Sequence, residues 1–278
     1  LPQRLRLVRC SISFAGMAEI SPPAASPPAA ERKVPPLPPL FRVGKRLRHR
    51  ISAVIARSSK VGDTPIYDPG LFPWIRPLEA CWPEIRAEVD ALLALEAAIP
   101  PLAEISPDHR RIAPPDKWKS FFLYGYGFSK AENIARCPKT AAAVRDIPGL
   151  NSAFFSILAP GTRIPRHRGV TKAILTAHLG LVVPKQRQAC RMQVDRETLA
   201  WEEGKILVFD DTYFHEVWND TDEQRVILLV QFRRPTGWLG RLVGGIFLGA
   251  LRRSRFVQDA RSSLGDWEKA MQKLEREP

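Results

Sequence analysis

A chain of 278 residues that is 45% hydrophobic and 26% charged can bury a substantial core, which excludes a disordered or collagen-like polymer. Its net charge of +13 sits on the flanks: residues 1–60 hold twelve Lys/Arg against two acids, and residues 233–256 hold six Arg and no acid. The part between is slightly acidic, so the basic character describes solvated arms or arms drawn to anionic surfaces, and no specific nucleic-acid binding is expected.

The four cysteines, Cys10, Cys81, Cys137 and Cys190, are scattered and form no CxxC pair. That pattern fits reduced thiols and a cytoplasmic location, with no disulfide framework and no zinc finger. No run of eighteen apolar residues is present, so no spanning helix is expected.

Residues 1–16 place arginines before a short apolar patch, a loose likeness to a signal peptide, and Met17 reads as the natural start. Ile20 to Leu40 is rich in Pro, Ala and Ser and reads as a disordered linker. Phe41 to Lys60 interleaves arginines with Leu47, Ile51, Val54 and Ile55. Two readings stay open there: a basic amphipathic helix on a membrane surface, or a solvated arm. The expected organisation is a disordered, basic region over 1–65, a folded domain over 66–235, and a basic, apolar helical extension over 236–278.

Leu78 to Ile99 carries Leu78, Trp82, Ile85, Val89, Leu92 and Leu95 at helical spacing. A second helix is expected from Pro138 to before Pro148. From Asn151 to Phe232 the pattern becomes that of strands. Phe154–Leu158, Ile174–Val183, Arg191–Val194, Leu199–Trp201, Lys205–Phe209, His215–Trp218 and Val226–Phe232 are separated by turn residues such as Pro160-Gly161 and Asn219-Asp220. Many short strands without helices between them favour a barrel or jelly roll, mainly β with flanking helices. Trp238 to Phe256 is an apolar run edged by arginines, too short to span. It reads either as an interfacial helix or as a core-packing one. Ser262 or Ser263 is expected to cap a last helix running through Leu274.

Three of the five histidines fall between Ser156 and Arg225. His167 and His215, on different strands of a small barrel, with Arg225 ten residues beyond the second, point to a non-haem iron site that takes a dicarboxylate. The usual triad is two histidines and a carboxylate, with open positions left on the metal. The carboxylate is expected two residues after the first histidine, where this chain has Gly169.

The wording of the segment carries more. Ser156-Ile-Leu-Ala-Pro-Gly-Thr-Arg-Ile-Pro-Arg-His167-Arg-Gly169, Ala177-His-Leu-Gly-Leu-Val-Val-Pro184, Trp201-Glu-Glu-Gly-Lys205 and Phe209-Asp-Asp-Thr-Tyr-Phe-His215-Glu-Val-Trp-Asn219 resemble the aspartyl/asparaginyl β-hydroxylase family. The resemblance covers about Pro138 to Pro235. It implies a double-stranded β-helix (jelly roll, cupin-like) and Fe(II)/2-oxoglutarate-dependent dioxygenase chemistry with O2, releasing succinate and carbon dioxide. By the same resemblance His167 and His215 match the iron ligands. Arg225, helped by Ser156, matches the group that holds the distal carboxylate of 2-oxoglutarate, and His178 matches a histidine near its other carboxylate.

Gly169 is shared with the peptide-hydroxylating members, which rely on two histidines, whereas the lipid A hydroxylases have aspartate there. Asp210 and Asp211 are spare carboxylates near His215, read here as stabilising a turn. Ile174 and Thr176 stand where the peptide hydroxylases carry arginines for the substrate carboxylate. Neither residue can pair with an anion. The favoured substrate is therefore a lipid acyl chain, met by a protein lying peripherally on the inner face of an anionic membrane, with a peptide side chain and a small metabolite still open. The alternatives are a peptidyl aspartyl/asparaginyl hydroxylase and a non-catalytic 2-oxoglutarate-binding module.

Overall fold

The computed structural model describes residues 39–95, 99–105, 112, 116–254, 257–258 and 260–264. In chain order the elements are α1 (Pro39–Arg57), β1 (Ile66–Tyr67), a 3-10 turn (Pro69–Leu71), α2 (Ile75–Ala80), α3 (Trp82–Leu93), α4 (Leu102–Ile105), β2 (Trp118–Gly125), β3 (Phe128–Ser129), α5 (Ala131–Arg136), α6 (Pro138–Arg145), β4 (Leu150–Leu158), β5 (Thr162–His167), β6 (Ile174–Val182), β7 (Cys190–Val194), β8 (Glu197–Ala200), β9 (Ile206–Phe209), β10 (His215–Asn219), β11 (Arg225–Arg233) and α7 (Trp238–Arg252).

The strands form two sheets, β1-β9-β6-β11-β4-β2-β3 and β5-β10-β7-β8, and every pair in them is antiparallel. From β4 onward the chain alternates between the sheets, apart from the β7–β8 hairpin, which is the double-stranded β-helix expected from the sequence. The larger sheet has two covered faces. Its outer face packs Phe155, Leu175, Ala177 and Leu228 under Ile85 and Val89 of α3 and Val144 of α6. Its inner face turns Phe122, Phe154 and Ile227 toward Met192, Val194 and Val217 of the smaller sheet. A strand buried on both faces reads as a continuous apolar run, and β4 is buried over eight of its nine residues. The strands of the smaller sheet alternate instead: β10 buries His215, Val217 and Asn219 and turns Glu216 and Trp218 outward.

The long helix expected over Leu78–Ile99 is two helices broken at Cys81, with Pro83 in the first turn of α3. A proline has no N–H for a preceding carbonyl, so it starts a helix rather than continuing one. The helix expected from Pro138 is α6. The helical reading of Phe41–Lys60 holds for α1, whose Ile55 is fully buried against Ala173, Ile174 and Leu248. The described fold therefore begins upstream of Ile66. The linker over Ile20–Leu40 lies almost wholly outside the described residues. Residues 260–264 are already helical, so Ser262 and Ser263 lie inside a helix rather than capping one, and the stretch from 265 to Leu274 falls outside the described residues.

Candidate active site

His167 ends β5 and His215 begins β10, and the two residues are direct cross-strand partners. Their ring centroids lie 4.1 Å apart. His167 Nδ1 faces the Pro165 carbonyl at 2.8 Å, and His215 Nδ1 faces the Tyr213 carbonyl at 3.1 Å. A carbonyl only accepts, so each Nδ1 carries the proton and each Nε2 keeps its lone pair. That is the tautomer a metal ligand needs, fixed by a neighbouring acceptor. Burial, and then the charge of His215, hold His167 down to about 4; burial also lowers His215. Both imidazoles are therefore neutral at pH 7, as ligation requires. Among the described residues no group of three or more His, Cys, Asp or Glu forms a metal-holding cluster.

Deeper in the barrel, Phe209 links His215 (5.6 Å between centroids) to His178 (4.9 Å). The Trp201 indole N–H donates to His178 Nδ1 at 3.4 Å, which leaves the proton on Nε2. That Nε2 is buried and has no partner. Burial, then the charges of Arg225 and His215, keep this imidazole neutral.

Arg225 opens β11 and is 2% exposed. Its guanidinium lies over the Trp201 ring at 4.7 Å and reaches the Ser156 carbonyl from Nη1 at 3.4 Å. Its Nε is buried and unpartnered, and burial pushes its pKa down to about 10. Among the described residues no carboxylate forms an ion pair with it. A buried cation without a counter-charge is strongly disfavoured. Ser156 lies beside it, its Oγ accepting the Trp118 indole N–H at 2.9 Å. The five residues singled out in the sequence thus form one connected cluster inside the barrel.

Asp210 and Asp211 separate in role. Asp210 is fully buried and behaves as the sequence reading expects. It accepts from the Thr212 N–H at 2.9 Å and from Thr212 Oγ1 at 2.6 Å, and it pairs with Lys172 and Arg234. Asp211 does something else. A Cβ built on Gly169 would stand 2.1 Å from Asp211 Oδ1, so this carboxylate fills the space a side chain at 169 would need. Its Oδ2 receives weak contacts from Thr176 Oγ1 at 3.4 Å and Gln231 Nε2 at 3.5 Å, while Oδ1 is buried and unpartnered. Burial, and next the charge of Asp210, push Asp211 up to about 7.

Gly169→Ala should therefore destabilise the fold by roughly 1–3 kcal/mol through overpacking. Adding Asp211→Ala in the same chain should recover most of that loss, because the two positions share one volume. Denaturant melts of the four proteins in the cycle measure it. Strictly additive losses would mean that the two residues do not compete for space.

Sequence reasoning missed Trp118, Trp201, Asp211 and Tyr126 as parts of the site. Trp201 did stand at the head of one family-like motif. Tyr126 and Gly127 form the two-residue turn between β2 and β3, both with positive φ (41° and 93°). This is the backbone such hairpins demand, and it is costly for a tyrosine. The turn leaves Tyr126 half-buried; burial of its hydroxyl, and then the charge of Asp211, raise the phenol's pKa.

Two antiparallel sheets enclosing a histidine pair and a buried arginine that, among the described residues, has no carboxylate partner define a jelly-roll barrel of the double-stranded β-helix type. The sequence model for aspartyl/asparaginyl β-hydroxylase matches residues 79–235. An ornithine lipid ester-linked acyl 2-hydroxylase of Rhizobium tropici is 40% identical over 211 residues, which is 76% of this chain and 75% of the relative. Human aspartyl/asparaginyl β-hydroxylase is 31% identical over 173 residues, 60% of this chain but only 22% of the human protein. A Pseudomonas putida prolyl-4-hydroxylase structure overlaps 66% of this chain and 98% of its own at a TM-score of 0.36 and 19% identity. That likeness is weak, and the strand order alone defines the fold. The chain belongs to the aspartyl/asparaginyl β-hydroxylase family and is an enzyme of the hydroxylase class.

Proposed function

We propose that the protein is an Fe(II)/2-oxoglutarate-dependent dioxygenase that hydroxylates an acyl chain of a membrane lipid. One observation carries the cofactor part: a fully buried arginine that, among the described residues, has no counter-charge, beside a histidine whose Nε2 has no partner. A dicarboxylate supplies what both lack. Arg225, with the Ser156 hydroxyl, holds the distal carboxylate through charge-assisted hydrogen bonds. His178 donates its Nε2 proton to the other end of the co-substrate. His167 and His215 hold the metal through Nε2, and Fe(II), 2-oxoglutarate and O2 together supply the oxidising chemistry when bound. Phe209 and Trp201 line the cluster and keep water from it. Asp211 fills the volume a side chain at 169 would need, so this chain would hold the metal through two histidines, with no ligand supplied from position 169.

The lipid part rests on three supports. The Rhizobium tropici relative is named for an ester-linked acyl chain. Ile174 is buried against Ile55, Ala173 and Leu248 and offers no cation. Thr176 directs its hydroxyl to Asp211. The membrane is the corresponding partner, and the protein meets it from the cytoplasmic side. Among the described residues no helix is long and apolar enough to cross a membrane. The human relative's name favours the second reading, an aspartyl or asparaginyl side chain in a peptide.

The purified protein, supplied with Fe(II), 2-oxoglutarate and O2, should release succinate faster with an ester-linked acyl aminolipid than with an aspartyl peptide. Mass spectrometry should find that lipid one oxygen heavier. Peptide-stimulated succinate with an unchanged lipid would reverse the choice of substrate.

A further inference from the structure

Helix α7 buries only one of its faces. Gly240, Gly244 and Leu248 face inward, and Gly244 sits so close that an added Cβ would stand 3.2 Å from Ala173 Cβ. On the other side Trp238, Leu242 and Ile246 fall at i, i+4 and i+8, which places them in one stripe. They are 75%, 54% and 67% exposed, and Leu239 beside them is 43% exposed. Scattered exposed apolar residues need no explanation, but an aligned stripe containing a tryptophan marks a contact surface.

A cavity of about 490 Å³ opens along the flank of this stripe. Its walls include Phe72, Trp74, Phe232 and Leu248, and its cations include Lys60, Arg233 and Arg241. No Asp or Glu lines it. Arg234 also borders it but is paired with Asp210. Among the described residues Lys60, Arg233 and Arg241 have no acidic partner, and all three are exposed. Arg241 lies on α7 between the stripe and the cavity. On α1, which packs against α7 through Ile55 and Leu248, Arg50 and Arg57 add further exposed charge.

We infer that this face docks on an anionic lipid leaflet. The Trp238–Leu242–Ile246 stripe enters the acyl boundary, and the cavity beside α7 receives an acidic lipid headgroup on Lys60, Arg233 and Arg241. Two features of the surface point to lipid rather than to a second copy of this chain. The apolar stripe is narrow, and among the described residues the cavity beside it is lined by cations and by no Asp or Glu, so two copies face to face would repel. An amphipathic helix with basic flanks lying in the interface plane has this composition. The inference deepens the lipid reading above and rests on it for its biological meaning. Its position also connects to the reaction: α7 touches Ala173 and Ile174 at the head of β6, on the loop that leads back to His167.

The test uses the full chain and vesicles of phosphatidylcholine with and without phosphatidylglycerol. Sedimentation should show binding to the anionic vesicles that weakens at high salt. Changing Trp238, Leu242 and Ile246 together to serine should weaken it at least about tenfold. Lys60→Glu and Arg241→Glu should each weaken it on the order of fivefold. Acyl-chain bromination should quench wild-type fluorescence more than that of Trp238→Phe. This last measurement needs no destabilising variant. Calorimetric binding of 2-oxoglutarate to the Mn(II)-loaded proteins should be unchanged in every variant. That separates failure of docking from failure of the co-substrate site. Equal binding to neutral and anionic vesicles, no binding to either, absence of Trp238 quenching, or a dimer in solution abolished by the serine variant would each overturn the inference.

Discussion

Replacing Arg225 by methionine is expected to remove 2-oxoglutarate binding while leaving the co-substrate-free protein as stable as wild type, or more stable. The two effects have one cause. In the free protein the guanidinium is buried, lies over the Trp201 ring and has no carboxylate partner. An uncompensated buried charge carries a desolvation penalty that an apolar side chain of similar length does not. With co-substrate present the sign reverses. A buried carboxylate that loses its charged hydrogen-bonding partner costs roughly 2–5 kcal/mol, enough to weaken binding by orders of magnitude. A ligand at about one hundred times its Kd raises native stability by ~2.7 kcal/mol, so the comparison can be read from melting curves. Wild type should melt higher when Mn(II) and 2-oxoglutarate are added, and Arg225→Met should show no shift from 2-oxoglutarate. A variant that is markedly less stable alone, yet still stabilised by the co-substrate, would make Arg225 a structural residue.

The parts of this fold that were legible in the sequence are those where side-chain pattern and local turn chemistry agree. β6, β7, β9, β10 and β11 each lie within a residue or two of the stretch expected from alternation or from an apolar run between turns. The misses have physical reasons. β2 is a run of mostly buried residues, Trp-Lys-Ser-Phe-Phe-Leu-Tyr-Gly, lying inside the larger sheet. Burial on both faces erases the period of two, so a short apolar stretch does not declare itself a strand. β5 does alternate, but Pro165 breaks the pattern. The strand tolerates it because β5 is the edge of its sheet, where a missing N–H costs little.

The site shows the same division. His167, His178, His215 and Ser156 were reachable because they sit in long family-like motifs of a chain with only five histidines, and Arg225 because it lies ten residues beyond His215. The roles of Trp201, Asp211 and Tyr126 were not. Each acts through a contact made across the barrel: an indole under a guanidinium, a carboxylate in the volume of an absent side chain, a phenol delivered by a strained turn. Such contacts depend on strand register, and a one-residue slip would send each side chain to the opposite face. Gly169 illustrates the gain. The sequence marks it only as a missing ligand, whereas the packing shows why no side chain can stand there while Asp211 keeps its place.

His215→Ala should cost the protein its metal, and it should do so without touching Arg225. Among the described residues the rings of His167 and His215 lie 4.1 Å apart, close enough to share an ion, and the Nδ1 of each is engaged by a backbone carbonyl. Changes to groups that merely orient ligands lower metal affinity by about 10–100-fold. Removing one of two protein ligands should exceed that range. His178→Ala provides the contrast. Its ring is held by Trp201 and faces the arginine end of the cluster, with its Nε2 open. That variant should retain Mn(II) nearly as wild type does and lose affinity chiefly for 2-oxoglutarate. Equilibrium dialysis with Mn(II), followed by calorimetry with 2-oxoglutarate, resolves the two. Equal loss of metal in both variants would mean that His178 is itself a ligand. Retention of metal in His215→Ala would remove the histidine pair from the chemistry altogether.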